Sequence, residues 1–322
     1  MKIAILDDYQ DAVRHLHCFQ ILRDHEVKVF NNRAVGLGQL AIRLAPFDAL
    51  VLIRERTTLS RALLSKLPKL KFIAQTGRLA GNIDLEAAKE LGITVVDGKG
   101  DPTAPAELAW ALIMASSRKI TNYTSLLQDH VWQTASLYPQ ANGIGRVLKG
   151  RTLGIWGYGR IGKLVAAYGK AFGMQVQIWG SEQSRAAAVA DGLQACASRE
   201  VFFESSDIIS LHLRLSDRSH GMIGFDDLSR MKSDALLVNV SRAELIAEGA
   251  LVQALDAGRP GFAALDVFET EPLPRDYTLL NRENVLLTPH IGFVERDTYE
   301  MYFAEAFTQL IDFARKASAN NA

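Results

Sequence analysis

The sequence predicts an α/β protein of two doubly wound parallel sheets, and three observations predict it. Short apolar runs alternate with helix-like stretches along almost the whole chain. A breaker-rich segment, Gly98-Lys-Gly-Asp-Pro-Thr-Ala-Pro105, divides the alternation into two series. The second series starts with an apolar run that opens straight into Gly157-Tyr-Gly159-Arg-Ile-Gly162 and then a helix-like stretch. At 322 residues the chain is also too long for one ordinary core.

Residues 2–6, 27–30, 49–53, 71–75 and 94–96 read as the strands of the first series, with amphipathic stretches such as 85–91 between them. After the boundary, residues 106–120 form an apolar run without Gly or Pro. This run reads as a helix, with Thr103 as its cap and Glu107 in its first turn. The second series offers strands at 153–156, 175–179, 208–211, 235–240, 262–267 and 285–287. A last long helix is expected over 295–316.

The glycine segment has a physical reading. Gly157 permits a tight turn after the strand, Gly159 lets backbone approach a pyrophosphate, and Gly162 lets the helix pack on the strand. The helix N-terminus, at Arg160 and Ile161, then offers N–H groups and the positive end of its dipole to phosphates. A lone pattern of this kind is weak evidence. Here the strand before it and the helix after it are both present.

Ligands of doubly wound sheets sit outside the carboxyl ends of the strands. Three further segments leave that edge. One ends at Arg242, one runs through Asp266 to Glu271, and one ends at His290-Ile-Gly292. Hydride arriving at a carbonyl carbon leaves charge on oxygen, so a proton donor must be at hand. His290 can supply the proton near neutral pH, and Glu271 beside it would favour the protonated imidazole. The planar fork of Arg242 can hold a carboxylate and a keto oxygen together. Singly, each of the three has a structural reading: a satisfied strand-end histidine, a surface ion pair, a turn residue before proline.

Composition excludes several classes. With 48% hydrophobic and 22% charged residues the chain has the make-up of a soluble globular enzyme. Thirty-six basic side chains balance thirty-six acidic ones, so there is no global pull toward nucleic acid or an anionic membrane. Cys18 and Cys196 are far apart and read as small buried hydrophobes, neither a disulfide framework nor a metal cluster. No apolar run approaches membrane-spanning length, the first apolar run is too short for a signal peptide, and the expected location is the cytoplasm.

The chain resembles the D-isomer-specific 2-hydroxyacid dehydrogenases, the group that includes phosphoglycerate dehydrogenase and glyoxylate/hydroxypyruvate reductase. The resemblance rests on Lys71-Phe-Ile-Ala-Gln-Thr-Gly77, Gly81-Asn-Ile-Asp-Leu-Glu-Ala-Ala-Lys89 and Ala106-Glu-Leu-Ala109. It continues through Gly150-Arg-Thr-Leu-Gly-Ile-Trp-Gly-Tyr-Gly-Arg-Ile-Gly162, Asn239-Val-Ser-Arg242, Leu265-Asp-Val-Phe-Glu-Thr-Glu-Pro272 and Thr288-Pro-His-Ile-Gly292. It implies a Rossmann-type nucleotide domain (101–290) inserted into a flavodoxin-like substrate domain (1–100 plus 291–322), with a cleft that closes over substrate. It implies a catalytic set of Arg242, Glu271 and His290, with Asp266 on the nicotinamide carboxamide. Cofactor contacts would fall on Gly157, Gly159, Arg160, Ile161, Gly162 and Gly292. Backbone N–H groups around 77–80 would take the substrate carboxylate, with Arg54, Arg78, Leu79 and Ala80 as substrate-side residues. It also implies a homodimer to which the helix near 106–120 contributes.

Departures from the family pattern carry their own expectations. Many relatives end the second nucleotide-domain strand with an acid for the adenosine ribose. Here Trp179 is followed by Gly180, Ser181 and Glu182, then Arg185. Losing the acid removes repulsion against a 2′-phosphate that Ser181 or Arg185 could bind, which favours NADP(H) over NAD(H). The opposing reading gives the ribose to Glu182. Arg78 and Leu79 stand where relatives carry small residues, and Arg78 is expected to face solvent. His212 is expected to pack on the adenine side, while Trp132, Tyr138 and Trp156 read as core or interface aromatics. The substrate expected is a small 2-oxo acid, with no nucleic-acid, membrane or metal partner. The rivals are a formate dehydrogenase, which would carry Gln in place of Glu271, a nucleotide-sensing corepressor of the same architecture, and a methyltransferase-type nucleotide fold.

Overall fold

The computed structural model describes residues 1–34, 36–133 and 143–319. The chain forms two compact units, Met1–Asp101 with Val294–Ala322, and Pro102–Phe293. Both are α/β with wholly parallel sheets, the fold class the alternation predicts.

The first unit carries β1 (Lys2–Ile5), β2 (Glu26–Val29), β3 (Ala49–Leu52), β4 (Phe72–Gln75) and β5 (Thr94–Asp97) in the order β2-β1-β3-β4-β5. This is the flavodoxin-like order, whose direction switches between β1 and β3. All four residues of β3 and of β4 are buried, as parallel strands covered on both faces must be. The returning helix Arg296–Ala319 buries Phe303, Phe307 and Leu310, and the Phe313 ring lies 4.8 Å from that of Phe72. Farther back, Glu300 on this helix accepts hydrogen bonds from the main chain of His17 (3.0 Å) and Cys18 (2.5 Å).

The second unit carries β6 (Thr152–Trp156), β7 (Gln175–Trp179), β8 (Gln194–Ala195), β9 (Ile208–Leu211), β10 (Leu236–Asn239), β11 (Phe262–Leu265) and β12 (Val285–Leu287). Their order, β12-β11-β10-β9-β6-β7-β8, is that of a Rossmann sheet with one added strand. The register places Trp179, Trp156, Leu211, Asn239, Leu265 and Leu287 in one row across the sheet. Every loop that follows these strands therefore leaves from the same edge.

Several details differ from the sequence reading. Residues Leu6, Ile53, Lys71, Ala235 and Val240 fall outside the strands. The two-residue β8 is too short to leave a pattern. The apolar helix runs Thr103–Arg118 with Pro102 at its N-cap, so Thr103 is its first residue and Glu107 lies beyond its first turn. Lys119 then turns left-handed (φ 53°), and a separate helix covers Ile120–Gln128. Trp156 is a core residue, packed edge-on to Phe202 and Phe203. Trp132 is not: it is 71% exposed. Tyr138 lies outside the described residues. Cys18 and Cys196 are both buried free thiols. No helix among the described residues is long and apolar enough to cross a membrane.

Candidate active site

The first component is the turn between β6 and the helix Arg160–Ala171. Gly157 has φ +104°, and a Cβ there would lie 2.6 Å from the carbonyl oxygen of His212. A Cβ at Gly162 would lie 2.1 Å from the carbonyl oxygen of Gly157, so only glycine lets the helix approach the turn. Gly159 differs: its Cβ would project into open space. It is the N-cap of the helix, in extended conformation, and no side chain caps it. Two glycines thus shape the turn, and the third leaves room beside an uncapped helix start. The site fits a diphosphate, which such a helix N-terminus binds through its N–H groups and dipole. Arg160 is exposed at the first helical position and Ile161 is half-buried behind it.

The second component follows β7. Gly180 occupies the position of the missing acid, with φ +150°. Ser181 caps the helix Glu182–Ala190, its hydroxyl accepting from the Ser184 N–H at 3.2 Å. The Arg185 guanidinium lies over the Trp179 ring, 5.0 Å from its centroid. Its Nε is buried and has no hydrogen-bond partner among the described residues. Ser181 is therefore already engaged as a cap, and Arg185 carries the unsatisfied donor.

The third component gathers the ends of β10, β11 and β12. Buried Asn239 clamps the turn after β10: its Oδ1 accepts from Ser241 N (3.0 Å) and its Nδ2 donates to Arg242 O (2.8 Å). Ser241 Oγ ties that turn to Leu211 O at 2.7 Å. Arg242 leaves from this clamp, near enough for its charge to act on Glu271. Glu271 Oε2 lies 2.7 Å from His290 Nδ1, and its Oε1 accepts from Phe268 N at 3.1 Å. Arg242, Glu271 and His290 are thus brought together.

His290 is held in the left-handed region, φ +50°. That conformation costs a non-glycine residue about 1–2 kcal/mol. The restraint comes from Asp266, which is fully buried. Its Oδ1 accepts from Thr288 Oγ1 (2.7 Å) and Ile291 N (2.9 Å), and its Oδ2 accepts from Gly292 N (2.9 Å). The expected contact of Asp266 with a carboxamide thus needs correcting. Both its oxygens are engaged in fixing the turn that presents His290, and the Gly292 N–H is committed to Asp266. The Phe293 ring completes the setting, edge-on to His290 at 5.6 Å.

Charge follows from these contacts. Partial burial raises the Glu271 pKa, but the hydrogen bond and charge of His290, the Phe268 N–H and the Arg242 charge outweigh it and hold the carboxyl below its ordinary value. Burial raises Asp266 above its ordinary value, against the pull of Thr288, Ile291, His290 and Gly292. His212 stands apart. Its ring bonds Ser210 Oγ at 2.9 Å, and burial drives its pKa down to about 4, so it is neutral at pH 7.

In the first unit, Arg54 has φ +53° and receives its backbone restraint from Thr76 Oγ1 (3.0 Å). Its guanidinium passes directly over Gly77, where a Cβ would sit 2.1 Å from Nη1. Arg78 and Ala80 are exposed. Leu79 is a correction: its N–H donates to Asp97 at 3.1 Å and its side chain packs on the core. Sequence reading also missed Thr288, Asn239 and Phe293 as supports. Thr288 and Asn239 stood inside motifs it quoted, but their partners are mainly main-chain atoms that carry no residue signature.

The profile of the D-isomer specific 2-hydroxyacid dehydrogenases, NAD binding domain, matches residues 110–292. A solved structure from Ralstonia solanacearum, provisionally assigned as a D-3-phosphoglycerate dehydrogenase, is 56% identical, covers 98% of this chain and 94% of its own, and superimposes with a TM-score of 0.95. A phosphoglycerate oxidoreductase from Vibrio cholerae O395 is 49% identical over 98% of this chain and 99% of its own, with a TM-score of 0.94. A glyoxylate reductase from Aeropyrum pernix is 39% identical over 79% of this chain and 76% of its own.

The glycine geometry makes a paired prediction. Gly162→Ala forces a methyl against the Gly157 carbonyl and should destabilise the protein by about 1–3 kcal/mol in thermal unfolding. Gly159→Ala should leave the melting temperature nearly unchanged while weakening dinucleotide binding measured by fluorescence titration. The reverse pattern would reject the assignment of glycine roles.

Proposed function

Because the chain belongs to the D-isomer specific 2-hydroxyacid dehydrogenase family, we propose that it interconverts a small 2-oxo acid and the corresponding D-2-hydroxy acid. The observation that carries this reading is the His290–Glu271 contact at 2.7 Å beside Arg242, on the sheet edge that also bears the glycine turn. The residues of that turn, Gly157, Gly159, Arg160, Ile161 and Gly162, would hold the diphosphate of a nicotinamide dinucleotide. When bound, the nicotinamide supplies hydride in reduction and takes it up in oxidation.

The chain's own residues manage the proton and the orientation. A carboxylate only accepts, so Glu271 fixes the proton of His290 on Nδ1 and leaves Nε2 as the exchanging nitrogen. In reduction His290 Nε2 donates a proton to the keto oxygen as that oxygen gains charge, and in oxidation it takes the proton back. The negative charge of Glu271 stabilises the imidazolium form that donates. Arg242 binds the substrate through its fork, which fixes the carbonyl and draws charge onto its oxygen. Asp266 acts one step removed, as the anchor of the turn presenting His290. In the first unit, Arg54 and the N–H groups of Arg78 and Ala80 are proposed to take the substrate carboxylate.

For the cofactor we favour NADP(H). The unsatisfied Nε of Arg185 and the absence of an acid at Gly180 support it, and Ser181 can add a second contact only by giving up part of its capping role. A homodimer fits the exposed apolar side chains Ile120 (50%), Leu127 (54%) and Trp132 (71%).

His290→Ala or Arg242→Ala should lower turnover with 2-oxo acids by roughly two or more orders of magnitude, followed as loss of reduced cofactor, with dinucleotide binding retained. Unchanged turnover in both variants would overturn the assignment. The dissociation constant of NADPH should lie below that of NADH, and Arg185→Ala should erase the difference by weakening NADPH about tenfold. A preference that survives Arg185→Ala would remove the phosphate contact.

A further inference from the structure

A second site is built into the first unit. In its sheet the direction switches between β1 and β3, the position where doubly wound sheets hold ligands. A cavity of ≈ 210 Å³ opens among the loops that follow β1, β2 and β3. Neither Arg54 nor the Arg78, Leu79 and Ala80 segment lines it. Arg33, Arg43 and Arg56 do, together with Asp7, Thr57 and Thr58. We propose that this cavity binds a small dianion, inorganic phosphate or the phosphoryl group of a small metabolite.

Charge is the first support. Three guanidiniums face one carboxylate, which leaves a surplus of two positive charges in a protein whose overall balance is zero. Asp7 does not account for that many cations. It is 5% exposed, its carboxylate accepts from the Thr57 hydroxyl, and one guanidinium would neutralise it. Burial raises its pKa in spite of Thr57, Arg33, Arg56 and Arg43, which further weakens its hold on the cations.

Pre-positioning is the second. Arg43 Nη1 donates to Asn32 O at 2.7 Å while its guanidinium lies 4.9 Å from the Phe30 ring centroid. Arg56 Nη1 donates to Asp7 O at 2.7 Å and lies 4.7 Å from the Tyr9 ring centroid. Stacking and a backbone tie hold each fork in place, so little side-chain freedom is lost on binding. The planar fork matches phosphate oxygens two at a time. Asp7 itself is held left-handed, φ +57°, and such outliers gather at ligand sites. The cavity is too small for a dinucleotide and suits a group of phosphate size.

The test is a calorimetric titration of the full chain with inorganic phosphate, which needs no turnover and is therefore independent of the dehydrogenase reading. Saturable binding at one site is expected, weakened tenfold or more in Arg33→Gln/Arg43→Gln, with folding checked by circular dichroism. No saturable binding, or equal affinity in the variant, overturns the proposal. If the double variant does not fold, Arg43→Lys keeps the charge and loses the fork. Several-fold weaker binding then supports the site, and unchanged affinity overturns it. Steady-state kinetics separate the two sources. Phosphate that competes only with 2-oxo acids bearing a distal phosphate marks a subsite for the substrate's own phosphoryl group. Phosphate that alters turnover of 2-oxo acids with and without a distal phosphate marks a separate effector.

Discussion

The buried carboxylate of Asp266 is the constraint on which the site depends. Three donors, one hydroxyl and two main-chain N–H groups, converge on it from residues 288–292. Leaving those donors unmet in a buried turn would cost roughly 1–3 kcal/mol each, more than the left-handed backbone of His290 stores. The turn therefore has one favourable arrangement, and in it the imidazole meets Glu271. The level ends of β10, β11 and β12 bring the remaining pieces to the same edge. Orientation of the proton donor is thus a consequence of sheet register and one buried acid.

Electrostatics act locally in a chain without net charge. The Glu271 carboxyl lies below its ordinary value, chiefly because His290 and then Arg242 outweigh its partial burial. By linkage, the stability that Glu271 contributes is fully present above its unfolded-state pKa and is lost as pH falls through its lower folded-state value. The pair is thus intact across the neutral range where a histidine exchanges protons. Elsewhere positive charge is concentrated where no acid consumes it, at Arg185 over Trp179 and at the arginines around Asp7.

Much of this was legible in the sequence, for physical reasons. Strands buried on both faces are nearly continuous apolar runs, so β3, β4, β7 and β9 stand out with boundaries within a residue or so. The rule that ligands sit at the carboxyl edge of parallel strands was enough to pair Arg242, Glu271 and His290 before any distance was known. What escaped was settled by main-chain geometry. The role of Asp266 depends on the N–H groups of Ile291 and Gly292, which any residue could supply. The break at Lys119 lies inside a run with no glycine or proline to announce it. Leu79 was assigned to substrate from its place in a loop, yet Asp97 claims its N–H. The arginine cavity draws on residues from 33 to 57, and only the sheet order places them together.

The pH dependence of kcat for 2-oxo acid reduction, compared between the wild type and Glu271→Gln, tests the central claim most directly. An imidazole that owes its proton to the neighbouring carboxylate should lose it more easily in the variant. The alkaline limb is then expected to move to lower pH by about one unit or more. A variant whose rate falls at every pH with the limb unmoved would contradict the claim, because Glu271 would then support the structure without tuning the proton donor.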